Sequence, residues 1–312
     1  LVRIVISLRY HALSIAAVFL ALAVGVVLGA AGVSDRLLSA ASRQADGLDG
    51  QVTSLTAERD GLLAAQRGAD DFAARIGPAA VRGLLAGKKV AFVSIGADPA
   101  DRDALGRLLG DAGATVSGQL ALTPAVGDPA RADQLRELTS QLLPTGARLP
   151  AASDTGSLVG GLLGSVLVGA DVDATAADSV LTGLTSAGFV EPGDRPQPAD
   201  LVLVLTGGAM SGVDAGEAAA VTARLAAELD RAGGAGAVLA GRTGSAEPTG
   251  AVGVARADPA ITADLSTVDD LQTGAGKVSA VLALREQVDG RAGRYGTAVT
   301  AADGAAPPPV AA

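Results

Sequence analysis

From Ala12 to Val33 the chain carries no charged residue, and the middle of that stretch, AAVFLALAVGVVLG at 16–29, is apolar or small throughout. As a helix, 12–33 reaches ~33 Å, just over the ~30 Å hydrocarbon core of a bilayer. Arg3 and Arg9 precede it with no acidic residue between them. That bias predicts a cytoplasmic N-terminus, residues 1–11, and places the long following domain outside. Gly29-Ala30-Ala31 offers a cleavable-signal alternative, but the apolar run exceeds the ~7–15 residues of a signal core. The pattern therefore favours a permanent anchor. Ala17, Ala21, Gly25 and Gly29 recur at every fourth position, so they line one helical face suited to close contact with a second helix. An Ala/Gly-rich composition would place small residues there equally well.

Beyond the anchor the period changes. Leu38, Ala41, Ala45, Leu48, Val52, Leu55, Leu62 and Ala69 follow a 3,4 spacing, with Arg59 and Gln66 interrupting the seam. A heptad of this kind keeps one face toward a partner helix, and it predicts a coiled-coil stalk over 34–76, ~64 Å long if fully helical. Gly47, Gly50, Gly61 and Gly68 fall outside the seam; each costs ~1 kcal/mol of helix propensity against Ala and leaves the contact surface intact. The alternative is an amphipathic helix folded back on the domain. Anchor face and seam together predict a homo-oligomer, with a coiled-coil envelope protein as a further partner.

After Gly77-Pro78 the chain alternates buried-strand and helix patterns. KKVAFVSIG (88–96), ATVSGQLAL (114–122), DLVLVLTGG (200–208) and GAVLAGR (236–242) read as strands, and 98–113, 130–143, 155–168, 174–187 and 214–232 as helices. AVGVAR (251–256) reads as a further strand, and 277–290 begins as a strand or as a final helix. Strands alternating with helices imply a Rossmann-like α/β domain with a parallel sheet over 77–292. The Pro/Ala/Gly-rich segment 293–312 has the composition of a disordered tail.

Composition narrows the chemistry. The chain has 312 residues, a net charge of -9 and no Cys. An acidic surface argues against nucleic acid as a partner, and the lack of Cys removes disulfides, thiolate metal sites and thiol nucleophiles. The single His, His11, lies at the membrane entry, so no His-based acid–base pair or triad can form in the outer domain. No enzyme activity and no cofactor are expected. TGGAMSG (206–212) either cradles a phosphate at a helix start or is a strand-to-helix turn, the reading its incomplete fingerprint favours. Asp98, Asp101 and Asp103 could hold a hard cation, but they fit a helix start better: Asp98 as cap, Pro99 at the first position and Asp101 in the first turn. Asp171, Asp173, Asp269 and Asp270 read as solvated loop residues.

SLRYHALSIAAVFLALAVGVVLG, LTGGAMS, AGRTGS and STVDDLQTGAGKVSAVLALREQVDGRAGRYG together resemble the actinobacterial copper transport family of MctB-like proteins, from Ser7 to about Gly296. The resemblance puts the native start near Val5 or Ile6. It implies a role in keeping intracellular copper low, as an outer-membrane channel, while related members imply a scaffold for envelope assembly or cell separation without copper handling. Copper prefers Cys, Met and His donors. One Met, one His and no Cys make no such site within one chain, so copies of His11 or Met210 gathered in an oligomer are the candidate ligands. Amphipathic strands of ~9–11 residues, as an outer-membrane barrel needs, are not the pattern here.

Overall fold

The computed structural model describes residues 8–168, 173–234 and 236–308; the side chains of 8, 30–43 and 45 lie outside that description. The expected native start near Val5 or Ile6, Asp171, and the side chains of Leu38, Ala41 and Ala45 all fall outside it. The chain divides into two units, one running to Gln66 and the other from Arg67 to the C-terminus.

The first unit is helical. It is the larger part of α1 (Leu8–Ala80), a continuous helix in which Arg9–Gly29 is long and apolar enough to cross a membrane. At 21 residues, this run reaches ~32 Å. Gly77-Pro78 does not terminate the helix, which continues to Ala80. Gly77 is there for packing: a Cβ at this position would lie 2.8 Å from Val278 Cγ2.

The second unit is an α/β sandwich. Its strands are β1 (Lys89–Ile95), β2 (Thr115–Leu122), β3 (Leu201–Thr206), β4 (Ala237–Gly241), β5 (Ser266–Val268) and β6 (Arg294–Tyr295). They form one sheet in the order β2-β1-β3-β4-β5-β6, every adjacent pair parallel. Strands buried on both faces are written as near-continuous apolar runs, and β3, LVLVLT, has all six residues buried. Leu201, Leu203 and Leu205 join Val90 and Phe92 on one face, while Val202 and Val204 join Val93 on the other.

The first face is covered by α2 (Pro99–Asp111) and α9 (Gly274–Val288), whose Leu105, Leu109, Val281 and Leu284 are fully buried. The second carries α3 (Ala132–Gln141), α4 (Thr155–Leu167), α5 (Ala174–Ser186), α6 (Ala215–Arg231) and α7 (Ala251–Ala257). A short α8 (Pro259–Thr262) precedes β5. The strand order begins 2-1-3-4-5, the flavodoxin-type winding rather than the dinucleotide-binding order 3-2-1-4-5-6. The Rossmann-like expectation thus holds as a doubly wound parallel sheet and is corrected in strand order.

Two local expectations change, and a third resolves to one of its alternatives. AVGVAR is helical, because Ala251, Val252 and Ala255 turn the same side toward the core, and so short an apolar run does not reveal its period. The segment from 277 takes its helical alternative within α9. The tail expected from Gly293 instead supplies β6, with Tyr295 buried and Arg294 Nε donating to Asp303 Oδ2 at 2.9 Å. Its small-residue composition concealed these two anchoring side chains.

In α4, Gly156, Gly160 and Gly164 allow close approach to α6. A Cβ at Gly160 would stand 2.7 Å from Leu225 O and 2.8 Å from Glu228 Cβ. Gly160→Ala gains ~1 kcal/mol of helix propensity, but overpacking against backbone costs ~1–3 kcal/mol. We expect a net fall in stability, read by urea unfolding of the detergent-solubilised chain. A rise would mean that the α4–α6 contact is not tight.

Candidate functional site

The crossover after β1 runs to the α2 face, and the one after β3 runs to the α6 face. Their carboxyl ends therefore part between two neighbouring strands, the switch point at which open α/β sheets form a crevice. A cavity of about 600 Å³ occupies this position, between Ile95–Gly96, the loop Thr206–Ala215 and a wall formed by Pro124–Pro129. The wall turns through two short 3-10 segments, Pro124–Gly127 and Pro129–Arg131.

The glycine loop is shaped by its neighbours. A Cβ on Gly207 would lie 3.0 Å from Gly96 O, and one on Gly208 would lie 2.7 Å from Thr243 O. Arg242 N donates to Gly207 O at 3.1 Å, and Met210 N donates to Thr249 O at 2.9 Å. The glycines thus permit backbone contact, as the turn reading expects. The helix start beyond them is already supplied with negative charge, since Asp214 stands at the N-cap and Glu217 lies in the first turn of α6. Asp128 and Asp214 line the cavity, and the lining includes no Lys or Arg. An anion there would meet repulsion, so the phosphate alternative is not supported.

Beside the cavity, Asp98 caps α2 by accepting from Ala100 N at 2.9 Å, as expected. It also meets Arg242 Nη2 at 2.9 Å. Asp101 is buried and receives Arg242 Nε at 2.6 Å and Lys277 Nζ at 2.9 Å. The hydrogen bond to Asp101 holds the Arg242 guanidinium above its ordinary pKa. This cluster ties the loops after β1 and β4 to the start of α9. Exposed Asp103 pairs with its half-buried neighbour Arg102, so the three acids do not converge on one cation.

Asp269 and Asp270 are buried, contrary to their reading as solvated loop residues. Asp269 is paired with Arg256, which reaches it from α7 with both ionic side chains only 2% exposed, whereas Asp270 Oδ2 accepts from Thr273 Oγ1 at 3.4 Å. Arg256 Nη1 donates to Asp269 Oδ2 at 2.5 Å, Nε to Thr267 Oγ1 at 3.0 Å and Nη2 to Tyr295 O at 2.7 Å. Asp269 Oδ1 further accepts from Thr297 N at 2.8 Å. Burial lowers the Arg256 pKa, with the bond to Asp269 acting against it. Burial and then the neighbouring Asp269 charge raise the Asp270 pKa. Tyr295 Oη donates to Glu286 Oε2 at 2.5 Å, and burial, followed by this contact, pushes the phenol pKa up. Asp173, by contrast, is an ordinary helix cap, accepting from Thr175 N at 2.9 Å.

His11 is exposed on the first unit's helix, whereas Met210 is half-buried in the second unit, where it lines the cavity. Among the described residues no group of three or more His, Asp or Glu is placed to hold a metal ion. On α1, Ala17, Ala21, Gly25 and Gly29 are exposed, with open space where a Cβ on either glycine would stand. Leu48, Val52, Leu55 and Leu62 are exposed too, from 54% at Leu48 to 66% at Leu62. Within the first unit the seam has no partner helix among the described residues.

Comparison with known proteins gives one consistent similarity. The family described as "Copper transport outer membrane protein, MctB" matches residues 5–307. A protein named copper transporter MctB from Mycobacterium tuberculosis is 41% identical over 304 residues, covering 94% of this chain and 96% of the relative. The Mycobacterium leprae protein of the same name is 37% identical over 306 residues, covering 93% and 96%.

Removing the cation from the buried Arg256–Asp269 pair would strand a carboxylate without compensation, a change that typically costs ~3–5 kcal/mol. Arg256→Ala should therefore lower the urea midpoint sharply and expose 294–303 to proteolysis. Wild-type stability in this variant would show that the pair does not hold the C-terminal segment.

Proposed function

The chain belongs to the MctB family of copper transport outer membrane proteins, and from that membership we propose that it takes part in copper transport as a non-enzymatic, membrane-anchored protein. The observation that carries this reading is the extent of the similarity, which spans residues 5–307. Both the apolar helix and the sheet domain are thus included in what is similar to relatives named copper transporters. Those names favour copper transport over an envelope scaffold that handles no copper.

The apolar run Arg9–Gly29 supports a single anchor with the N-terminus inside and the sheet domain outside the cytoplasmic membrane. Backbone polar groups in lipid are satisfied by a helix or by a closed barrel, and the apolar helix of this chain supports the former. Copper is cargo in this reading. With one Met, one His and no Cys, the chain is poor in the soft and imidazole donors that would retain the ion. That composition supports passage or hand-over. Self-association along the Ala17–Gly29 face and the Leu38–Leu62 seam would place copies of His11 near one another at the membrane entry.

Two measurements test this. Deleting the gene from its host should raise cell-associated copper, measured by elemental analysis after growth in copper, with restoration by the full chain but not by one lacking residues 9–29. Copper unchanged by the deletion would overturn the transport role. Leu48→Asp combined with Leu55→Asp should lower the molar mass in detergent, measured by light scattering. An unaltered mass would reject the seam as an interface.

A further inference from the structure

The switch-point cavity has a chemistry of its own, independent of copper. Its volume of about 600 Å³ lies within the ~300–1,000 Å³ range of small-molecule sites. Ile95, Val126, Pro129, Met210 and Ala218 give it an apolar lining. Wall and helix are closely fitted, since a Cβ on Gly127 would stand 2.8 Å from Ala218 Cβ. The cavity is therefore built by the meeting of the Pro124–Pro129 wall with α6.

Its charge has one sign. Asp128 uses Oδ1 to accept from Ala130 N at 2.9 Å, and its second oxygen has no bond partner among the described residues. Asp214 makes no capping bond through its side chain. The lining offers these carboxylates no Lys or Arg, and the nearby cations Arg242 and Lys277 are already held by Asp98 and Asp101. An apolar chamber bearing two acids without a cation is complementary to a ligand with an apolar body and a positive head.

We propose that this cavity binds an organic cation of that class, a primary amine carried on an apolar body. The apolar body fills the space between the Pro124–Pro129 wall and α6, and the ammonium group meets Asp128 and Asp214. A carboxylate of the same shape is rejected, because it would face the same two acids, both exposed at the cavity.

Met210 makes the test direct: it is the single Met of the sequence and it lines the cavity. The full chain, labelled with ¹³C-methyl methionine in detergent, is titrated with phenethylamine and, separately, with phenylacetate; Met210→Leu assigns the resonance. The expected result is a saturable shift of the Met210 methyl with the amine, at least ~10-fold tighter than with the acid, a preference equal to ~1.4 kcal/mol. Ser211→Trp, placed in the exposed mouth of the cavity, should abolish the shift. Asp128→Asn with Asp214→Asn should keep the fold, since Asn also caps, and lose the preference for the amine. No shift with the amine, equal response to both probes, a shift that survives Ser211→Trp, or an amine preference that survives the double Asn variant would each overturn the proposal.

Discussion

Burial of β3 on both faces is the constraint from which the sheet domain follows. A strand with Leu201, Leu203 and Leu205 on one side and Val202 and Val204 on the other cannot leave either face in water. Fully burying each such side chain contributes ~1.5–3 kcal/mol. Helices must therefore cover both sides, and the parallel pairing to β1 and β4 requires crossovers long enough to supply them. Since α2 goes one way and α6 the other, the loops after β1 and β3 diverge. The cavity at that divergence is a consequence of the winding rather than a feature added to it.

Electrostatics then fixes what packing leaves loose. The chain has more acids than bases, and two of its buried acids are placed where bases arrive from other elements. Asp101 joins Arg242 and Lys277, while Asp269 joins Arg256. The Asp101–Arg242 pairing joins segments 141 residues apart, while the Arg256–Asp269 pair closes a short loop of 13 residues. The Arg256 pair also fixes the end of the sheet, because the same guanidinium holds the Tyr295 carbonyl. The acids lining the cavity lack this treatment, and that difference distinguishes an open site from a structural cluster.

Much of this was legible in the sequence, for a physical reason in each case. The first four strands are long apolar runs between turns, and Asp98-Pro99 marks a helix start by cap chemistry that depends only on neighbouring residues. β5 and β6 were not legible. Ser266–Val268 and Arg294–Tyr295 are too short to display a period, and their burial depends on Arg256 reaching them from another helix. The same cause concealed Asp269, whose charge beside Asp270 suggests solvent unless the arginine is known. The glycine loop was correctly a turn, but its cavity depends on the Pro124–Pro129 wall, roughly eighty residues earlier in the chain. No local pattern in TGGAMSG contains that wall.

The stalk presents the opposite balance, with sequence signals that nothing inside one described chain satisfies. Gly47, Gly50, Gly61 and Gly68 have open space around them and together cost ~4 kcal/mol of helix propensity. Within the first unit no burial offsets that cost at Leu48, Val52, Leu55 and Leu62, because all four are exposed. A helical segment in water without a packed face is marginal. Pairing these side chains across a second helix would remove apolar surface worth ~25 cal/mol per Å², enough over a few heptads to exceed the glycine cost. The position of the glycines fits that solution, since each lies off the seam and leaves the apolar side chains facing outward together. A helix built this way leaves its apolar seam exposed within the first unit, and that seam is the surface the proposed self-association would use.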